Sequence, residues 1–193
     1  DAYWGVGIDQ FLIYPRSGLE LEYMSEAWLD VCVHIVEKAK ELGMAIWLYD
    51  EFNWPSGKCG GQVMARDPDY AGKNLSAFAD RNVAGISVEG TPPKQYRWSV
   101  SSIPLYGDVL NPEAMDCFIE LTFEKYAERL APYFGEVVKG VFTDEPSYWY
   151  PSKHKTGGAV FEIPYFTGLE GCYRDQTRSD FRADVERHLA GDA

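Results

Sequence analysis

Apolar positions along this chain fall into two kinds of stretch: short unbroken runs, and longer segments in which they recur at spacings of three and four. The first kind reads as buried strand and the second as amphipathic helix. The run Phe11-Leu12-Ile13-Tyr14 within Ile8 to Tyr14 predicts a strand that stops at Pro15, with Arg16 just past its end. After a loop, Ser17 to Met24, Ser25 stands as an N-cap with Glu26 in the first turn. Trp28, Val31, Cys32, Ile35, Ala39 and Leu42 then mark one helix face, and Gly43 its C-cap. Met44 to Tyr49 predicts a second strand, ending in Asp50-Glu51. Ile8 to Tyr49 is thus one strand–helix–strand unit with a right-handed crossover expected.

The loop Phe52 to Gly61 is rich in Gly, Pro and aromatics; it lacks the spacings of a phosphate-binding loop. Leu75 to Ala79 and Ile86 to Val88 read as short strands of a hairpin or insertion around Arg81-Asn82, and Gly90 to Gly107, with three prolines, as mostly loop. Asn111-Pro112-Glu113 is a helix start, with Asn as cap and Pro in the first helical position. Met115, Phe118, Ile119, Thr122, Tyr126 and Leu130 give its buried stripe, which ends near Pro132 to Gly135. Val137 to Thr143 predicts a strand buried on both faces, in which Gly140 leaves room for a close neighbour. Its apolar run gives way to Thr143-Asp144-Glu145-Pro146 and an aromatic loop. Leu169 to Tyr173 reads as a short element and Ser179 to Leu189 as a helix.

Strands alternating with long helices predict an α/β fold with a parallel sheet. An open doubly wound sheet and a (β/α)8 barrel of the TIM type both fit. A barrel typically needs ~250 residues, and the 193 here contain three convincing strands. The expectation is a single domain over residues 1–193: a partial barrel, with a loop or hairpin insertion about 62–107, completed by the remainder of a longer chain or by a homo-oligomer. The net charge of -12 argues against nucleic acid and anionic membranes as partners. No apolar run approaches the ~20 residues of a membrane span. The four cysteines form no zinc-knuckle spacing and are expected to be free thiols. The three histidines are scattered, and neither HExxH nor a Ser-His-Asp signature occurs. The compartment stays unassigned.

The chemistry concentrates where the predicted strands end. Asp50-Glu51 and Asp144-Glu145 lie at the same end of a parallel sheet, with Tyr14, Trp47, Tyr49, Trp54, Tyr148 and Trp149 in or beside the strand ends. Carboxylates with flat aromatic surfaces suit a sugar, the acids gripping hydroxyls or doing chemistry and the rings stacking on the pyranose. Glycoside hydrolysis uses two carboxyl groups, ~5–5.5 Å apart for retention and ~6.5–9.5 Å for inversion. Glu145 is the candidate general acid, and Arg16, Asp50, Glu51, Asn53, Trp54, Asp144 and Tyr148 are candidate substrate contacts. For Asp50, support of a neighbour is the favoured role; Trp47 is read as core, Trp54 as the better sugar platform, and Asp108 as a cap.

Four blocks carry a family resemblance: IYPRSGLELEYMSEAW, ELGMAIWLYDEFNWPSGKCGGQV, LNPEAMDCFIELTFEKYAERL and GVFTDEPSY. Together they resemble the catalytic barrel of bacterial α-L-rhamnosidase-type enzymes, glycoside hydrolase family 106 and relatives, over roughly Gly5 to Tyr150. The resemblance implies a (β/α)8 barrel, hydrolysis of a terminal sugar, and, in inverting members, a calcium ion that helps to hold the sugar. Glu145 matches the general-acid position, and Asp50, Glu51, Asn53 and Trp54 the substrate-side loop. The second catalytic carboxylate of such enzymes comes from a later strand, whereas Glu162 and Glu170 follow Glu145 without a clear strand end. Two alternatives remain at this point: a carbohydrate-binding protein that does not cleave, and a metal-dependent enzyme of another class. The sparse histidines make the last the weakest.

Overall fold

The computed structural model describes residues 2–79, 96–148 and 156–191. The chain divides into two compact units, one made of Asp1–Ala71 with Pro104–Ser147 and the other of Gly72–Ile103 with Tyr148–Ala193.

The first unit is built on three parallel strands, β1 (Gln10–Ile13), β2 (Ala45–Tyr49) and β5 (Val138–Phe142), in the order β1-β2-β5. Ile13 stands opposite Leu48, and Tyr49 opposite Phe142. This corrects the barrel expectation. The strand–helix alternation did specify parallel pairing, but β1 and β5 remain sheet edges. The next segments, β3 (Ala71–Ala79), β4 (Tyr96–Gly107) and β6 (Phe161–Tyr165), form a separate sheet in the order β4-β3-β6, with β3 and β6 antiparallel. Alternating periodicity fixes how neighbours pair, not how many strands join one sheet.

After the short helix α1 (Ala2–Gly5), helix α2 (Glu26–Leu42) begins as its sequence demands: Ser25 accepts from the Trp28 N–H and Gly43 closes the helix with a left-handed backbone. Its buried face is Trp28, Leu29, Cys32, Val36 and Ala39, whereas Val31 is exposed. The true stripe is thus rotated toward Leu29 and Val36. These side chains meet Ile13, Ile46 and Leu48 in one core. The short helix α3 (Gln62–Arg66) follows the 52–61 loop. The third long segment is α4 (Pro112–Ile119), a π turn at Glu120–Glu124, and α5 (Lys125–Leu130). The π turn falls within the buried stripe Phe118, Leu121, Thr122, Tyr126 and Leu130, and Ile119 lies off that stripe and is exposed. Among the described residues no helix is long and apolar enough to cross a membrane.

The helices cover one face of the parallel sheet. On the other, Trp47 and Phe142 are 39% and 49% exposed, so β5 is an edge strand, not one buried on both faces, and Trp47 is a surface residue, not core. Trp47 lies flat over Gly140, where a Cβ would stand 2.6 Å from its ring, and donates to the Gln10 side chain at 3.2 Å. The indole therefore straps all three strands. Gly140→Ala is expected to cost ~1–3 kcal/mol of stability by overpacking. Urea denaturation checks this, and the cost should shrink in a Trp47→Leu background, because the two sites share one contact.

In the second unit, Trp98, Phe161, Tyr173 and Phe181 form an aromatic cluster under α6 (Leu169–Thr177) and α7 (Phe181–Ala190). Tyr96–Gly107 is strand where a loop was expected; Pro104 sits inside it, consistent with an edge position. The strand expected at 86–88 lies outside the described residues. Glu162 accepts from Asn74, Ser76 and the Thr156 N–H. Burial works against its charged form, but these donors together outweigh burial and hold its pKa below the usual range.

Candidate functional site

Because β2 and β5 are adjacent and parallel, their acidic ends arrive side by side. Asp50, just after β2, is fully buried. It accepts from the Ser56 hydroxyl at 2.5 Å and the Thr143 hydroxyl at 2.7 Å. Ser56 in turn accepts from the Asp144 N–H at 2.9 Å, and its own N–H donates to the Asp144 carbonyl at 3.0 Å. Ser56 and Thr143 thus clamp the 52–61 loop and both strand ends together. Neither is among the candidates read from the sequence, although Ser56 lies two residues from the candidate Trp54 and Thr143 next to the candidate Asp144. Thr143 carries a signal, a hydroxyl next to a strand-end carboxylate; Ser56, six residues from Asp50, carries none.

Burial lifts the Asp50 carboxyl above the ordinary carboxylate range; the Ser56 and Thr143 hydroxyls offset this in part, and nearby Asp144 adds to it. A raised pKa means the native state holds this proton more tightly than the unfolded chain. The contribution is complete below the unfolded value of about 3.9 and is lost as pH rises through the folded one. Asp50→Asn, which keeps a carbonyl acceptor, is therefore expected to gain stability relative to wild type between pH 4 and pH 7. Urea titrations at both pH values measure the difference.

Glu51 is also fully buried, and it binds the protein, not a substrate. Its two oxygens accept from the backbone N–H groups of Phe52, Lys58, Cys59 and Gly60. The 52–60 loop is wrapped around this carboxylate. Burial raises its pKa while the N–H donors lower it, with burial the larger effect. Asn53, in the left-handed region at φ 64, accepts from the Ser17 N–H and hydroxyl at 2.9 and 3.1 Å and ties the loop after β1 to the loop after β2. Trp54 is partly buried, and its carbonyl receives the Lys58 ammonium at 3.0 Å.

The outward side of the strand ends is aromatic. Tyr49 is buried between Tyr14, at 4.0 Å between ring centres, and Phe142, stacked at 6.0 Å. Its hydroxyl donates to Asp144 Oδ2 at 2.7 Å. Burial first, then the hydrogen bonds with Tyr14 and Asp144, push the Tyr49 phenol well above its usual range, so it remains a donor. The Arg16 guanidinium lies over the Tyr14 ring at 4.2 Å and is exposed. Glu145 is exposed in the loop after β5, with a left-handed backbone at φ 44. A non-glycine residue held there costs on the order of 1 kcal/mol, and such strain gathers at functional sites. Tyr148 belongs to the second unit and is 44% exposed. Asp108 is buried and shapes the turn before the helix, accepting from the Leu110 N–H at 3.1 Å, while Asn111 is the cap.

Arg16 and Asp144 thus stand on either side of the Tyr14–Tyr49 pair, and Glu145, in the next position of the chain after Asp144, is exposed, while Asp50, Glu51 and Asn53 form the frame. Among the described residues no group of three or more His, Cys, Asp or Glu side chains is placed to hold a metal ion. The oxygens of Asp50 and Glu51 are spent on hydroxyl and N–H donors, so these two carboxylates do not fit as calcium ligands. Set against protein-family models, curated proteins and solved structures, the chain matches none of them.

Proposed function

We propose that the chain is a glycoside hydrolase acting on a terminal sugar at the ends of β2 and β5, with Glu145 as general acid. The observation that supports this reading is the exposure of Glu145 at the end of β5, on a left-handed backbone at φ 44, where Asp50 and Glu51 are fully buried. In the proposed reaction Glu145 gives its proton to the bridging oxygen as the bond from that oxygen to the anomeric carbon breaks, the electron pair going to oxygen. Water adds to the anomeric carbon, and the proton it releases restores the acid. Arg16 and Asp144 supply donor and acceptor groups for sugar hydroxyls, and Trp54 a flat surface for the ring.

The likeness of the WPSG and FTDEP blocks to rhamnosidase-type hydrolases makes an α-L-rhamnoside the first substrate to try. The test is release of nitrophenolate from 4-nitrophenyl α-L-rhamnoside and a panel of other 4-nitrophenyl glycosides by the full chain. Turnover above the uncatalysed rate is expected for at least one sugar.

A second reading is sugar binding without cleavage. It is favoured by the hydrogen bonds of the other strand-end acids, since hydrolysis by acid and base takes two carboxyl groups and Asp50, Glu51 and Asp144 all accept hydrogen bonds from the protein. Heat of binding for a sugar, with no hydrolysis of its aryl glycoside, would decide for it.

A further inference from the structure

The hydrogen bonds at the ends of β2 and β5 separate Asp50, Glu51 and Asp144 by how much of each carboxylate they occupy. The two oxygens of Asp50 accept from the Ser56 and Thr143 hydroxyls, and both oxygens of Glu51 accept from backbone N–H groups. Asp144 differs. Its Oδ2 accepts from the Tyr49 hydroxyl at 2.7 Å, and among the described residues no hydrogen bond reaches its Oδ1. The Asp144 backbone is held separately: its N–H donates to the Ser56 hydroxyl oxygen and its carbonyl accepts from the Ser56 N–H. With the backbone set by one residue and Oδ2 by another, Oδ1 has a fixed place. The side chain is half-buried and still open to a ligand.

We infer that Tyr49 is a positioning residue for sugar binding: its hydroxyl fixes Asp144 so that Oδ1 accepts from a sugar hydroxyl. The inference rests on the proposed role of Asp144 as a sugar contact. Three features suit the Tyr49 hydroxyl to this task and not to holding the fold. First, the ring packs without it, 4.0 Å from the Tyr14 ring centre and stacked on Phe142, and a phenylalanine would fill the same space. Second, Tyr49 is tied to the core through its carbonyl, which accepts from the Tyr23 and Tyr126 hydroxyls at 3.4 and 3.2 Å. Losing the phenol oxygen leaves that tie in place. Third, the Tyr14 and Tyr49 side chains are hydrogen-bonded. Tyr49 gives its one hydroxyl hydrogen to Asp144, so Tyr14 is the donor in that bond. Two hydroxyls in series thus end on one carboxylate, and hydrogen bonds in such a chain strengthen one another. Arg16, the proposed donor to sugar hydroxyls, lies over the Tyr14 ring, so the pair links proposed donor to proposed acceptor. A carboxylate held before the sugar arrives loses little further freedom on binding it.

The test is calorimetric titration of the full chain with methyl α-L-rhamnoside and the methyl glycosides of the other sugars in the nitrophenyl panel, for wild type, Tyr49→Phe, Asp144→Ala and the double variant. Tyr49→Phe should weaken binding by about tenfold, the worth of roughly one hydrogen bond, and Asp144→Ala by at least as much. The double variant should bind no more weakly than Asp144→Ala, because Tyr49 acts only through Asp144. For a glycoside that is hydrolysed, the same cycle is read in kcat/KM, and the loss in Tyr49→Phe should fall on KM more than on kcat. The urea midpoint of Tyr49→Phe should lie close to that of wild type. Binding unchanged in Tyr49→Phe, or a further loss when Tyr49→Phe is added to Asp144→Ala, overturns the positioning role while the sugar-cleaving reading can still stand. Binding unchanged in Asp144→Ala overturns it as well, since Tyr49 then has no sugar contact to act through. If no glycoside is bound and none is hydrolysed, the proposed function falls, and the role of Tyr49 with it.

Discussion

Glu51→Ala is expected to lower stability by on the order of 4 kcal/mol, the largest loss for any single acid in the chain. A buried donor left without its acceptor costs ~1–3 kcal/mol, and this substitution strips the acceptor from four N–H groups between Phe52 and Gly60. The total is discounted because a loosened loop can turn some of those groups to water. Glu51→Gln keeps the shape but points an amide NH2 at N–H donors, so it should be little better. Urea denaturation gives the size of the effect, and faster proteolysis within 52–61 should accompany it. A variant of unchanged stability that had lost only sugar affinity would return Glu51 to the substrate-contact role its position in the sequence suggests.

Glu145→Gln should behave in the opposite way. The side chain is exposed at the end of β5, so its effect on stability should stay within about 0.5 kcal/mol, while turnover of a glycoside falls by about 10²–10⁴-fold, the usual worth of a general acid. Sugar binding by calorimetry should survive. The two acids, each the second of a strand-end pair, are thus separated by environment: one holds the frame and the other meets solvent.

That separation was not legible in the sequence, although much around it was. Ser25, Gly43 and Asn111 announced their caps because capping is local chemistry. Gly140 announced a close neighbour, though not that the neighbour would be Trp47 on an open face. The pairing of the two acid-tipped strands followed from the strand–helix alternation. What failed was non-local. Periodicity could not say that Tyr96–Gly107 would join a second sheet and leave the first with free edges. Nor did it place the stripe of the third helix on Ala114, Cys117, Phe118 and Leu121, which leaves Ile119 outside the core. The roles of Asp50 and Glu51 depend on a loop folding back so that Ser56 and four backbone N–H groups converge on them, and nothing in an adjacent Asp-Glu pair tells which acid such a loop will enclose.

The most direct test of Glu145 as proton donor compares leaving groups. A 2,4-dinitrophenyl glycoside departs as a stable anion and needs no proton, whereas an alkyl glycoside does. Glu145→Gln should hydrolyse the dinitrophenyl glycoside at close to the wild-type rate and lose about 10²–10⁴-fold on the alkyl glycoside of the same sugar. An equal loss on both substrates, or none on either, would contradict the role given to Glu145.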